Sequence, residues 1–259
     1  MQKRSLRWSE GVCVLEGPDL IDAALDAGVE FEALYVDTTS STSPSIDASV
    51  ARAQRAGVRV FGLAGGVLGK VADASTPQPL LGAVRFPVHD LASIPATGLV
   101  LVLHDVRDPG NAGTIIRSAD ASGVTAVVLT GQSVDPFNSK TLRATAGSIF
   151  HLPVCVGELE ATLEHFVAGG AATIATVVRG GRGYREVDFM TASVVVIGNE
   201  AEGLNDVTIA SCQSSISIPM AGKSESLNAG VAASLIAFEA LWQRQGAIST
   251  SRPPSLTET

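Results

Sequence analysis

Apolar positions change their spacing near the middle of the chain. Over residues 11–36 they fall in short blocks: "CVLEG", then "PDLIDAALDAG" at helical spacing, then "FEALYVD". The pattern predicts strand, helix, strand, with Pro18 suited to a first helical turn and Gly28 to a stop. The polar loop "TTSSTSPS" leads to a second helix, "DASVARAQRAG", and the strand "VRVFGL". "LGKVADASTPQPLLGAVRFP" reads as a short helix, a proline-bounded loop and a closing strand. These elements make an αβ unit of small-domain size. The stretch "HDLASIPATG", with its Pro and Gly, predicts a linker, so the first domain is set at residues 1–96.

From Leu99 onward, apolar runs alternate with helical patterns, which predicts a largely parallel sheet and an α/β class. The strands are "LVLVLHDV", "AVVLTG", "TIATVV", "SVVVIGN" and "SSISIPM". Between them lie the helices "AGTIIRSADASG", "SKTLRATAGSIF" and "LEATLEHFVAGG". A last helix begins near Leu227, and its stripe of Val231, Leu235, Phe238 and Trp242 is expected in the core, with the share of it that forms an interface left open by the sequence. The second domain is set at 97–246. The ending at 247–259, "AISTSRPPSLTET", has little to bury and is expected to be a disordered tail. No internal repeat is visible.

Composition narrows the function classes. Hydrophobic residues are 46% of the chain and aromatics only 5%, which favours α/β layers over an aromatic-rich sandwich. No apolar run reaches the roughly 18 residues of a membrane span, and the basic N-terminus lacks the apolar region of a secretory signal. Cys13, Cys155 and Cys212 are too widely spaced for a disulfide framework or a zinc site, which suits a reducing cytoplasm. Net charge is −8, with 8 basic against 11 acidic residues up to residue 96 and 10 against 15 after it. A nucleic-acid binder usually carries a basic footprint. Any RNA contact must therefore come from local clusters: Lys3, Arg4 and Arg7; Arg52, Arg55 and Arg59; or Arg179, Arg182 and Arg185 in "RGGRGYR".

Three strands end in loops that mix glycine with hydrogen-bonding side chains: "RDPGNAG", "GNEAEGL" and "PMAGKSESLN". Glycine lets backbone approach a ligand closely, and a parallel sheet delivers all three loops to one edge, where ligands of open α/β sheets bind. Familiar nucleotide motifs fail on spacing. Gly110 and Gly113 do not make G-x-G-x-x-G, and no glycine stands five residues before Gly222-Lys223-Ser224 to complete a P-loop. His89, His104, His151 and His165 are scattered without metal-ligand spacing, and Ser226 sits in no nucleophile elbow. No metal is expected.

Taken in order, these segments resemble the three motifs of the SpoU/TrmH family of RNA ribose methyltransferases. They are "NAGTIIRSADASG", "VVVIGNEAEGL" and "ISIPMAGKSESLNAGVAASLIAFE". "NSKTLRATAGSIFHLPV" is similar to the segment between the first two, so the resemblance covers residues 99–242. The stretches "LEGPDLIDAALDAG" and "STPQPLLGAV" are similar to the substrate-binding domain of the ribosomal RNA branch, which itself resembles a small ribosomal RNA-binding protein. The resemblance implies a C-terminal sheet with a deep trefoil knot, S-adenosylmethionine as cofactor, and a homodimer with a shared site. The implied activity is methylation of a ribose 2′-hydroxyl, with large-subunit ribosomal RNA as substrate. The alternatives are a tRNA ribose methyltransferase, or a non-catalytic RNA-binding or ribosome-assembly protein of the same fold. RNA is the expected partner; DNA and membrane are not.

Residue by residue, the resemblance places Arg117 at the catalytic position, as phosphate clamp and hydroxyl activator. The clamp is the firmer role, since an arginine is ordinarily always charged. It assigns Asn111, Glu200, Ser226 and Asn228 to the active site and Gly198, Asn199, Ile218 and Leu227 to the cofactor. Thr176 and Met220 join the cofactor group because they stand at the adjoining strand ends. Read locally, Asn111 also sits well for a helix N-cap, Ser226 could cap the last helix, and Asn228 would fall in that helix's first turn.

Overall fold

In the computed structural model, the described residues are 3–39, 43–71, 78–87 and 89–250. The N-terminal elements are α1 (Arg4–Glu10), β1 (Val12–Glu16), α2 (Pro18–Asp26), β2 (Phe31–Asp37), α3 (Pro44–Arg55), β3 (Val60–Leu63), α4 (Leu68–Val71) and β4 (Leu80–Arg85). They continue as β5 (Leu99–His104), α5 (Pro109–Ser122), β6 (Ala126–Thr130), α6 (Ser139–Thr145), β7 (Val154–Gly157), α7 (Leu159–Ala168) and β8 (Ala172–Thr176). The last are β9 (Arg182–Gly183), β10 (Ser193–Ile197), α8 (Asp206–Ala210), β11 (Ser214–Ser217) and α9 (Ala229–Thr250). Two compact units result. One joins residues 1–89 with 108–117 and 134–154, and the other joins 90–107, 118–133 and 155–259.

The first unit is built on a four-stranded sheet of order β1-β4-β2-β3, antiparallel except for the β2–β3 pair. α2 starts at Pro18, after Gly17 at φ +90°, and turns Leu20, Ile21 and Ala24 inward. α3 begins three residues before the expected Asp47, because Pro44 supplies a pre-set first helical residue behind extended Ser43. The polar loop at 38–45 and the proline-bounded loop after α4 fall partly outside the described residues, at 40–42 and 72–77.

α1 is an element the apolar pattern did not predict, and its packing explains why. Its inward residue is Arg7, not an apolar side chain. The Arg7 guanidinium donates to Asp135 (Nε to Oδ2, 2.9 Å), both groups buried, while Asp135 Oδ1 accepts the Phe137 N–H at 3.0 Å. Trp8, next to Arg7 in the chain, and Phe137, two residues from Asp135, pack with Phe86: Phe86 and Phe137 stack at 4.1 Å and Trp8 is edge-on to both. Nearby, burial first and the Asp135 charge second push the Cys13 thiol up to about 12. Arg143 of α6 donates to buried Glu16 of β1 at 2.9 Å, and a Cβ on Gly147 would meet that of Ala23 at 2.6 Å. α5 and α6 are equally close: a Cβ on Gly113 would lie 2.3 Å from that of Ala144.

The second unit carries a seven-stranded sheet of order β7-β6-β5-β10-β8-β11-β9, parallel at the five pairings from β6 to β9. β10 is buried along its whole length between β5 and β8. On one face Val100, Val102, Val128, Val194 and Val196 pack with Leu159, Leu163 and Phe166 of α7. The expected single helix "SKTLRATAGSIF" is two pieces, because Ala146 and Gly147 take positive φ and a 3-10 turn follows at Ser148–Phe150. The expected linker is also ordered. Asp90 caps a 3-10 turn at Leu91–Ser93, Ile94 is buried, and the Ile94 carbonyl meets His165 Nε2 at 3.0 Å.

α9 corrects two expectations. It continues to Thr250, four residues into the expected tail, since no proline intervenes before Pro253; residues 251–259 lie outside the described residues. Its core face is Ala229, Ala233, Ile236, Ala237 and Ala240, where small side chains let the helix lie close to the sheet. The stripe expected in the core faces outward: Val231, Leu235 and Trp242 are exposed and Phe238 is half-buried. No helix among the described residues is long and apolar enough to cross a membrane.

The buried Arg7–Asp135 pair generates a stability prediction. Removing one partner strands a buried charge, so Asp135→Ala should lose about 3–5 kcal/mol in urea titration. The joint change Arg7→Met, Asp135→Leu, which removes both charges, should recover most of that loss. A single variant with the wild-type midpoint would exclude the pair as a structural contact.

Candidate active site

Strand direction decides where the chemistry gathers. β8, β10 and β11 run parallel, so their carboxyl ends open on one edge of the sheet. At the end of β8, the Thr176 hydroxyl donates to the Val196 carbonyl at 2.9 Å and ties that strand end to β10. Beyond β10 the chain folds straight back on itself. The Gly203 N–H donates to the Asn199 carbonyl at 3.0 Å, and Asn199 Oδ1 accepts the Ala201 N–H at 2.7 Å. A Cβ on Gly198 would lie 2.5 Å from the Gly203 carbonyl carbon, so the loop can close only over a glycine.

Beyond β11, residues 218–227 return past the same edge and deliver the chain to α9. Asn228 is the N-cap of that helix: its Oδ1 accepts the Val231 N–H at 3.2 Å. The capping role open to Ser226 therefore falls to Asn228, whose side-chain oxygen reaches the third helical N–H. Ser226 lines the cleft instead, and its carbonyl accepts the Ser224 hydroxyl at 2.9 Å.

These segments enclose a cleft of ≈ 400 Å³. Of the residues singled out from sequence, Thr176, Gly198, Asn199, Glu200, Ile218, Met220, Ser226 and Leu227 line it. Glu202, Glu225 and Ile236 line it as well. The two glutamates stand inside the quoted loops and were legible there as acidic neighbours of the motif positions; Ile236, mid-helix, gave no signal. Ile197, Ile218, Leu227 and Ile236 offer an apolar wall. Three exposed carboxylates, Glu200, Glu202 and Glu225, give the rim a negative field. Such a site suits a flat apolar ring joined to a cationic group.

Asn111 and Arg117 belong to the first unit and are not among the lining residues. Asn111 is not the N-cap of α5. Asp108 is: its Oδ1 accepts the Asn111 N–H at 2.8 Å, and its carbonyl accepts that of Ala112. Pro109 then takes the first helical position, so the cap lies one residue before the proline. Arg117 is exposed beside buried Ile115, Ile116 and Ala119, and among the described residues its guanidinium holds no hydrogen bond or ion pair.

The chain's similarities agree with this arrangement. Residues 98–238 match the model of the SpoU rRNA methylase family. The chain belongs to that family. Residues 1–82 match an MRM3-like substrate binding domain. The 23S rRNA (guanosine(2553)-2'-O)-methyltransferase RlmP of Bacillus subtilis is 32% identical over 226 residues, 87% of this chain and 86% of that protein. A 23S rRNA (uridine(2479)-2'-O)-methyltransferase of Streptomyces viridochromogenes is 36% identical over 68% of this chain and 64% of that protein. The crystal structure of the SpoU methyltransferase AviRb from Streptomyces viridochromogenes, in complex with the cofactor AdoMet, superimposes with a TM-score of 0.83. It is 29% identical and covers 94% of this chain and 95% of that one. As a member of the SpoU family, the chain has its cleft at motif two and motif three.

Gly198 gives this cleft its sharpest test. The atom an alanine would strike is backbone, which cannot swing aside. Gly198→Ala should cost at least about 1–3 kcal/mol, the usual range for overpacking. Amide exchange of residues 199–204 should rise more than that of β5 or β6. Unchanged protection across the loop would show that the turn does not need a glycine.

Proposed function

We propose that this chain is an S-adenosylmethionine-dependent methyltransferase acting on a ribose 2′-hydroxyl of 23S ribosomal RNA. The observation that carries it is the cleft at the carboxyl ends of β8, β10 and β11, formed by the motif segments of the SpoU family. The residues fit the cofactor. Ile218, Leu227 and Ile236 suit an adenine ring, Gly198 admits close approach of backbone, and the carboxylate rim suits a sulfonium and an ammonium group. Bound there, S-adenosylmethionine supplies an electrophilic methyl group. Thr176, Asn199 and Met220 complete the cofactor site, and Glu200 and Ser226 order its mouth.

The chain's own task is to present the acceptor oxygen. A 2′-hydroxyl is a weak nucleophile, and holding it in line with the donor lowers the barrier by several kcal/mol through positioning. Arg117 grips the phosphate next to the target ribose through its planar fork, which an ammonium cannot reproduce. A neighbouring positive charge also favours the hydroxyl's ionised form as the new O–C bond develops. Asn111, one and a half turns earlier on α5, and Asn228, at the start of α9, complete the active site. Residues 1–96 select the RNA, residues 97–246 carry out the transfer, and the substrate-binding match at 1–82 favours ribosomal RNA over tRNA.

The active unit is a two-fold homodimer in the cytoplasm. Exposed Val231, Leu235 and Trp242 on one stripe of α9 support this, because a second copy would cover them. The C-terminal segment forms a trefoil knot. That reading is supported by β8 lying between β10 and β11, and by the return of residues 218–227 to the cleft.

Two measurements test the proposal. Arg117→Ala should leave folding and S-adenosylmethionine binding intact while single-turnover methylation of 23S rRNA falls roughly 10²-fold or more, and Arg117→Lys should rescue little. A near-normal rate in either variant removes Arg117 from the mechanism. For assembly, light scattering should give twice the chain mass, and Trp242→Arg should shift it toward the monomer. A fully active wild-type monomer would overturn the shared site.

A further inference from the structure

The face of the four-stranded sheet away from α2 ends in an open aromatic surface. A Cβ on Gly82 would meet Ile21 of α2 at 3.4 Å, so α2 covers the face that carries Gly82 and its partners Leu15 and Leu34. Strand alternation puts the next row on the opposite face: Glu16, Leu81, Tyr35 and Phe61, paired in that order across the sheet. One end of this row is closed, because Glu16 is buried against Arg143 and Leu81 is buried beside it. The other end is open. Phe61, on edge strand β3, is 44% exposed and stacks on Tyr35 with ring centroids 5.7 Å apart and planes at 24°.

Arg59 stands two residues before Phe61, on the same side by alternation. It is exposed, its Nη2 donates to the Glu32 carbonyl at 3.2 Å, and among the described residues no carboxylate pairs with it. In a chain of net charge −8, an unneutralised guanidinium beside an exposed ring stack is a specific combination. Two rings and one guanidinium fall well short of the roughly 20–30 residues a side that a protein interface engages. β3, only four residues long, is also a poor edge for pairing with a second copy. One nucleotide is the occupant that matches it, since a base has a face to stack and its phosphate takes the cation.

We propose that Phe61, backed by Tyr35 and flanked by Arg59, is a stacking platform for one unpaired base of the substrate RNA. It rests on the reading of this chain as a ribosomal RNA methyltransferase and names a contact by which residues 1–96 recognise that RNA. The platform reads shape and not sequence, because every base offers a π-face.

The test is binding of the full-length protein to 23S rRNA transcribed in vitro, over a series of salt concentrations. Phe61→Ala should weaken binding about 5- to 150-fold, the range for loss of one base–aromatic stack, with no change in salt slope. Phe61→Trp should bind like wild type. Arg59→Ala should weaken binding and reduce the salt slope by about 0.7–0.9, the loss of one phosphate contact. S-adenosylmethionine affinity and oligomeric mass should not move in any of the three, and each variant should keep the wild-type circular dichroism at the assay temperature. Wild-type affinity in Phe61→Ala overturns the platform, while wild-type methylation in the same assay keeps the enzyme reading. A change in oligomeric mass with RNA affinity intact gives the face to a second copy and likewise overturns it. If wild type neither binds nor methylates the transcript, the enzyme reading and the platform fall together.

Discussion

The cleft depends on strand polarity. β10 is buried between β5 and β8 and shares their direction, so its carboxyl end, and those of its neighbours, must open on the same edge. Parallel pairing makes that edge the meeting place of loops distant in sequence, while α7 and α8 spend chain on the crossovers between strands. The local details then follow. Gly198 folds its loop back on itself, Asn199 holds the fold, and Asn228 fixes where α9 begins, which sets the position of Leu227 one residue earlier.

The first unit obeys a different constraint. Its sheet supplies only part of its core, and segments from far along the chain supply the rest. The Arg7–Asp135 pair and the Trp8–Phe86–Phe137 cluster bring α1 and β4 onto residues 134–138. Glu16 and Arg143 then bind β1 to α6, and Gly113 lets α5 lie against α6 with no side chain between them. The part of α5 up to Arg117 thus belongs to the same unit as the four-stranded sheet.

Much of this was legible in sequence. In the second sheet β5, β6, β8, β10 and β11 were found because buried strands read as apolar runs. β7 and β9, of four and two residues, were missed because they give no such run. The three loops were found because glycine and asparagine interrupt the runs in an unusual way. What escaped has physical reasons. α1 hides an arginine inside, and no periodicity of apolar residues marks a buried ion pair. The outward stripe on α9 is apolar and so is its core face, which leaves no pattern to tell them apart; packing against the sheet chose the alanines. Asp108 took the cap from Asn111, and Asn228 took it from Ser226, because a cap is decided by backbone geometry one residue at a time.

The interleaving of segments has a consequence for synthesis. Arg7 meets a partner 128 residues later in the chain, so the first unit cannot close when its own sheet has emerged from the ribosome. It waits for residues 134–154, by which time β5 and β6 of the second unit are already outside. At roughly 5–20 residues per second, that interval lasts on the order of 3–13 s. During it Trp8 and Phe86 lack Phe137, and the nascent chain shows an aromatic surface that the finished protein conceals. The two units are therefore completed as a braid, not in succession, and the chain is most exposed to chaperones while its N-terminal half is already made.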